Sequence, residues 1–293
     1  MTAGDSALPL ILDRDVRCLD DGRVLLGGDP GRLVRLRRSG APALDLLAVG
    51  RQESAAVRDL GRTLLQGGLA HPRPAAMDVG DVIVVVPVRD RAEELACCLS
   101  ALGTAAPVLV VDDGSTDPGA VAAVARTHGA QLLRLAVNAG PGGARNAGLA
   151  ASAAAVVAFV DSDCTPPPGW LGALVGHFVD PAVGAVAPRV RGAVGGRSVL
   201  ARYAAARGPL DLGRYEARVR PGSRVPYVPT AALLVRRAAL PVGPAFDSAL
   251  RWGEDVDLVW RLAEAGHQVW YEPGVVVRHQ TRAGSVAWVR QRH

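Results

Sequence analysis

Carboxylates at the ends of short apolar runs are the residues of this sequence best suited to chemistry. Asp161 and Asp163 form a DxD directly after the run 156–160 (VVAFVDSD), Asp112 and Asp113 follow the run 108–111, and Pro87-Val88-Arg89-Asp90 follow the run 82–86. Two carboxylates on alternate residues at a strand end are expected to project toward one side, where both reach one hard cation or its ligated phosphates. Unit charges about 4 Å apart repel by roughly 4 kcal/mol at an effective dielectric of 20, so carboxylates gathered in one crevice imply a divalent ion or hydrogen-bonding ligand among them. Turn formation is the competing use of loop aspartates.

Two further candidates lie downstream. Glu254-Asp255 opens the helical pattern EDVDLVWRLAEAG. Counting by threes and fours from Asp255 gives Leu258, Val259 and Leu262, which puts Asp255 at the head of the inward stripe, where a desolvated carboxylate aimed into a cleft can act as a base. Asp257 and Arg261 take the wetter face as an (i, i+4) pair. Helix capping and macrodipole stabilisation, worth about 0.5–1 kcal/mol, is the alternative role for these acids. His279 ends the run 275–277 after Arg278, and a neutral imidazole facing the DxD would complete a metal site.

Positioning these groups falls to an alternation of runs. Strand-like segments at 82–86, 108–111, 132–135 and 156–160 alternate with helical patterns at 91–102, 119–128 and 142–152. Continuous apolar strands with crossover helices predict a doubly wound α/β sheet whose ligands sit beyond the carboxyl ends of its strands. The Gly-rich stretch 138–148 (NAGPGGARNAG) follows a later strand than a dinucleotide fingerprint would, and Arg145 stands where the third glycine of a GxGxxG begun at Gly140 belongs. A Walker A loop is excluded because all 33 of the Lys-plus-Arg cations are Arg.

Composition bounds the function. With 293 residues, 49% hydrophobic and 21% charged, the chain is an ordinary globular protein with room for one large domain and one small one. The net charge of +5 is spread along the chain, so no nucleic-acid partner is required. Cys18, Cys97, Cys98 and Cys164 show neither CxxC nor zinc-finger spacing, which predicts reduced thiols and a cytoplasmic location. Asp5 and the lack of a basic n-region speak against a secretory signal, and the alanine-rich uncharged run 146–160 is too short to span a bilayer.

Five motifs in order, VVVPVRD, VVDDGSTD, NAGPGGARNAGL, VAFVDSDC and GEDVDLVWRL, resemble the family 2 glycosyltransferases of the GT-A fold across residues 82–279. The resemblance implies a Rossmann-like mixed sheet that binds a nucleotide sugar. It assigns Pro87, Arg89 and Asp113 to the uridine, and Asp161 with Ser162 to the rest of the donor. Asp163 and His279 become ligands of Mn2+ or Mg2+, and Asp255 the general base. Arg145, Asn146 and Glu254, in the same motifs, become further nucleotide-sugar contacts. The segment 207–237, with the region before the catalytic domain, resembles more narrowly the glycosyltransferases of the mycofactocin system, which decorate a peptide-derived redox cofactor with β-linked glucose. Members of that group run longer, so peripheral membrane contact is expected of a C-terminal region beyond this sequence.

Residues 71–81 (HPRPAAMDVGD) read as a linker, which places a small domain at 1–77 and the GT-A domain at 78–293. Two short strands around Asp21-Gly22 precede helical patterns at 42–49 and 53–66. This resembles the winged-helix-like α+β elements by which enzymes of ribosomal peptide modification grip a peptide; a purely packing module is the alternative. The expected reaction is inverting transfer of a hexose, with UDP-glucose as donor and a hydroxyl of a peptide-derived molecule as acceptor. Its rivals are a family 2 transferase of polysaccharide or cell-envelope synthesis, a nicotinamide oxidoreductase, and a non-catalytic nucleotide or peptide binder.

Overall fold

The computed structural model describes residues 8–37, 40–52, 54–192, 208–250 and 252–280. Glu53, expected inside the second helix, Arg207, at the head of the narrower resemblance, and Asp5 lie outside the described residues. Two small sheets and two helices come first in the chain. Strand β1 (Leu10–Leu12) pairs antiparallel with β5 (Ala70–Pro72), and β2 (Arg17–Leu19), β3 (Val24–Gly27) and β4 (Arg32–Arg35) form a meander. Helices α1 (Gly40–Ala48) and α2 (Ala55–Gln66) cover them, with Ser54 capping α2 by accepting from the Val57 N–H. Leu10, Leu25, Leu47, Leu64 and Leu69 are the centre of an apolar cluster of their own.

The expected linker begins later than the sequence suggested. Residues 70–72 are buried β-strand, and His71 is fixed by its Nε2 at 2.6 Å from Asp13 Oδ2. Arg224 Nη2 reaches the same oxygen at 2.6 Å, and its backbone N–H donates to Asp29 at 2.5 Å. Burial pushes the Asp13 carboxyl up, but its bonds to His71, to the Asp15 N–H and to Arg224 outweigh that and hold it well below the ordinary carboxylate range. Arg73 adds a bridge to Glu216 at 3.0 Å. These charged contacts pin the described N-terminal residues to the 214–224 loop, and apolar contacts add to them: Leu65 packs against both this cluster and the main core, and His71 meets Trp270 edge-on at 5.9 Å.

The main sheet comprises β6 (Val82–Val88), β7 (Val108–Asp112), β8 (Gln131–Arg134), β9 (Val156–Val160), β10 (Cys164–Thr165), β11 (Val183–Gly192), β12 (Ala217–Arg218), β13 (Ala232–Arg236) and β14 (Gln268–His279). Its order is β10-β14-β11-β13-β9-β6-β7-β8, with β12 also on β14. The half β9-β6-β7-β8 is parallel and the addition of antiparallel β13 makes the sheet mixed, as the GT-A resemblance implied.

Period-two alternation divides the valines of β6 between the two faces. Val82, Val84, Val86 and Val88 join the layer containing α3 (Ala92–Leu102), α4 (Pro118–Thr127) and α6 (Trp170–Val175), whereas Ile83 and Val85 face α5 (Gly140–Ala150) and α7 (Glu254–Glu264). The last glycine of the NAG triplet permits the close approach of α5, since a Cβ on Gly148 would lie 2.4 Å from Val85 Cγ1. Burying side chains of this size contributes about 1.5–3 kcal/mol each, so both layers hold the strand ends rigidly.

Candidate active site

Register brings the acidic groups together. The parallel strands β6, β7 and β9 all end on one edge of the sheet, and the pairing of β10 with β14 sets Cys164 opposite His279, so His279 is delivered beside the DxD turn. The Gln280 N–H donates to the Asp163 carbonyl at 2.8 Å and locks that register.

The two carboxylates of the DxD diverge, contrary to the strand-parity expectation. After Val160 the chain turns, with the Cys164 N–H donating to the Asp161 carbonyl at 2.9 Å, so the period of two no longer applies. Asp161 Oδ1 accepts from Arg145 Nη2 at 2.7 Å on the α5 side. Asp163 turns toward α3 and β14, where Arg91 Nη1 lies on its Oδ2 and His279 Nε2 stands 3.3 Å from its Oδ1. Ser162, between them, is buried.

Arg145 ties the two acidic ends into one construction. Its side chain is only 4% exposed, and its second nitrogen donates to Glu254 Oε1 at 3.0 Å, so one guanidinium spans from β9 to α7. Phe246 lies beneath it, with the guanidinium carbon 5.6 Å from the ring centroid. Burial opposes the charge, but Asp161 and Glu254 outweigh it, and Arg145 is held protonated. An Arg this deeply enclosed aligns the site rather than presenting itself to a ligand. Asn146, expected to touch the donor, has both ends of its amide on the Phe246 backbone, at 2.7 and 3.0 Å. It braces the loop under Arg145.

Gly253 starts α7 with φ +84°, a left-handed conformation open to glycine, and this turn sends Glu254 and Asp255 toward Arg145. Leu258, Val259 and Leu262 are buried as the spacing required, and Arg261 pairs with Asp257 at 2.6 Å. Asp255 is half-buried and accepts the N–H of its neighbour Val256 on Oδ1 at 2.9 Å. Desolvation raises its pKa above the ordinary value, Glu254 adds to the rise, and Arg145 and the Val256 N–H moderate it. A carboxylate raised in this way has the properties of a general base.

At the other end Asp113 is buried and accepts the Ala139 N–H at 2.6 Å, joining the β7 loop to the glycine-rich loop. Arg89 is exposed, 3.6 Å from Asp90, and Pro87 is half-buried at the strand end. Arg91, which sequence reasoning passed over in favour of Arg89, reaches Asp163 of the DxD, as Arg145 reaches Asp161. Asp90 adopts φ +55°, held by bonds to Thr116 and Ser115, and this turn re-aims the next residue.

A model of glycosyl transferase family 2 matches residues 83–241, more than half of the chain. The chain belongs to glycosyl transferase family 2. It is 45% identical over 289 residues to the pre-mycofactocin glycosyltransferase of Mycobacterium tuberculosis, a match covering 96% of this chain and 60% of that protein. The chain therefore spans about three-fifths of the length of this relative. The succinoglycan biosynthesis protein ExoU of Rhizobium meliloti is 32% identical over 229 residues, covering 70% of this chain and 64% of ExoU. Among solved structures, the Pyrobaculum calidifontis mannosyltransferase PcManGT in complex with GDP-Man and Mn2+ superposes with TM-score 0.57 at 22% identity, over 86% of this chain and 72% of that one. S. aureus TarS in complex with UDP-GlcNAc gives 0.55 at 22%, over 70% and 60%. At these identities the structural likeness carries the GT-A-like fold of this family member.

The described residues fit a divalent cation at Asp163. Oδ1 is buried with no hydrogen-bond partner, and an imidazole nitrogen stands beside it, a donor pair suited to Mn2+. Among the described residues no three His, Cys, Asp or Glu side chains form a metal-binding group, so the described residues offer two donors, Asp163 and His279. Such ions commonly complete their shell with substrate phosphates and water. Burial raises the Asp163 pKa, but His279 and Arg91 outweigh it and hold the carboxylate ionised. No helix among the described residues is long and apolar enough to cross a membrane.

Proposed function

We propose that this chain is an inverting hexosyltransferase that moves glucose from UDP-glucose to a hydroxyl of a peptide-derived acceptor, as a pre-mycofactocin glycosyltransferase. The observation that supports the reading is the Arg145 bridge, in which one buried guanidinium ties Asp161, read as donor-side, to Glu254, the neighbour of the candidate base. The relative whose match covers 96% of this chain supports this acceptor class over the succinoglycan biosynthesis proteins, whose matches are shorter.

In this mechanism Pro87, Arg89 and Asp113 border the uridine, and Asp161 and Ser162 face the remainder of the donor. Asp163 and His279 would hold Mn2+ or Mg2+, which when bound neutralises charge on the diphosphate leaving group. Asp255 removes the proton from the acceptor hydroxyl as that oxygen approaches the anomeric carbon from the face opposite the diphosphate. The C–O bond to the acceptor forms as the bond to UDP breaks, and no covalent enzyme intermediate is required. Glu254, fixed by Arg145, holds the start of α7 in place during this step.

UDP release from a donor panel with Mn2+ or Mg2+ tests the proposal. UDP-glucose should be the preferred donor, and Asp163→Ala should lower turnover at least about 100-fold. Tight UDP binding with no transfer from any sugar donor would mark the chain as a binder instead.

The acceptor reading places recognition on residues 1–77. A cavity of about 620 Å³ there is lined by Leu10, Leu12, Cys18, Leu44 and Leu47 and lies along β1, whose only partner among the described strands is β5. An extended peptide segment of the acceptor can add to such an edge while its apolar side chains enter the cavity. Leu44→Glu should raise the acceptor KM several-fold and leave donor hydrolysis unchanged; an unaltered KM would leave the module a packing role.

A further inference from the structure

We infer that Arg91 is a resident counter-cation of Asp163 which the divalent ion must displace, so that metal and diphosphate enter the site together. This inference rests on the metal assignment made above. Arg91 Nη1 sits on Asp163 Oδ2, and among the described residues the guanidinium has no other polar partner. Its backbone cannot follow it elsewhere. The Arg91 carbonyl accepts the Leu95 N–H at 3.0 Å as the first bond of α3, and the preceding Asp90 is fastened by the Thr116 N–H at 2.6 Å and by its own N–H on Ser115 Oγ at 3.0 Å. The side chain is the part that can swing outward. At 28% exposure it reaches in from the solvent edge, whereas Asp163 is 12% exposed and fixed.

Charge balance sets the order of binding. Asp163 carries one negative charge, already balanced by Arg91, with His279 3.3 Å from its other oxygen. A doubly charged ion brought to Oδ1 while the guanidinium stays on Oδ2 meets a like charge a few ångströms away. At an effective dielectric of 20 that repulsion is several kcal/mol, so the ion displaces the guanidinium rather than sharing the carboxylate with it, and its binding is weakened by the cost of that displacement. A diphosphate changes this balance, because it brings negative charge for both the metal and the released guanidinium. Metal alone therefore binds poorly, and UDP and metal strengthen each other's binding by the same factor.

Binding of Mn2+ alone, followed through the electron paramagnetic resonance of the free ion with and without UDP, tests this without reference to turnover. In Arg91→Gln the affinity for Mn2+ alone should rise about 10-fold, and the enhancement by UDP should shrink correspondingly. Arg91→Lys, which keeps the charge, should stay close to wild type, and melting curves of both variants verify the fold. If Arg91 merely props Asp163 in place, Arg91→Gln will bind Mn2+ no better or worse than wild type, and the inference is overturned; equal tightening in Arg91→Lys overturns it too. Asp163→Asn separates the two levels of the account. Loss of Mn2+ binding there with no gain in Arg91→Gln refutes only the counter-cation, whereas unchanged Mn2+ binding in Asp163→Asn refutes the metal assignment and the inference with it.

Discussion

Asp255→Asn should lower sugar transfer by about 10³-fold while leaving UDP affinity nearly intact, within the range that loss of a positioned base produces. The amide is almost the same size and can still accept the Val256 N–H, so α7 keeps its start and only the proton acceptor disappears. Desolvation raises the Asp255 pKa, so the acid limb of the wild-type rate profile should be shifted upward from that of an ordinary aspartate, with transfer falling at lower pH as protonation removes the base. Steady-state transfer beside UDP calorimetry checks both statements. Wild-type turnover in the variant would remove Asp255 from the mechanism.

Arg145→Met should be more damaging still, because it affects stability and chemistry at once. It strands Asp161 and Glu254 without their shared cation, and removing one member of a buried ion cluster costs about 3–5 kcal/mol. Against total stabilities of about 5–15 kcal/mol, a drop of many degrees in melting temperature is expected. Arg145→Lys separates the two consequences. A single ammonium cannot span both carboxylates as the forked guanidinium does, so this variant should fold and lose transfer. A melting temperature and UDP affinity like wild type in Arg145→Met would show that the bridge is dispensable.

Much of this construction is legible in the sequence, and the exceptions have physical causes. The runs at 82–86, 108–111 and 156–160 are observed as β6, β7 and β9 because β-branched residues buried on both faces admit little else. The phase of α7 follows from the spacing of Leu258, Val259 and Leu262 alone. Strands β11 and β13 are not legible locally, since their partners lie far away in sequence, and the run at 275–277 is the end of the 12-residue β14, whose parallel pairing with β11 is long-range.

Side-chain roles are harder to read than elements. The motifs put Arg145 and Asn146 among donor contacts, yet one is enclosed between two carboxylates and the other grips the Phe246 backbone. Only the fold brings residues 246 and 254 beside the glycine-rich helix. The choice between Arg89 and Arg91 turns on a single left-handed residue, Asp90, for which the local sequence carries no distinctive signal. Likewise the divergence of Asp161 from Asp163 depends on where β9 stops, the kind of boundary that periodicity leaves open by a residue or two.

A crystal structure with UDP-glucose and Mn2+, using the Asp255→Asn variant to keep the donor intact, tests the central claim most directly. The account predicts the ion on Asp163 and the diphosphate, the uracil beside Asp113, and the glucose ring between the ion and residue 255. A nucleotide bound with its sugar directed away from α7, or an ion held elsewhere than Asp163, would contradict it.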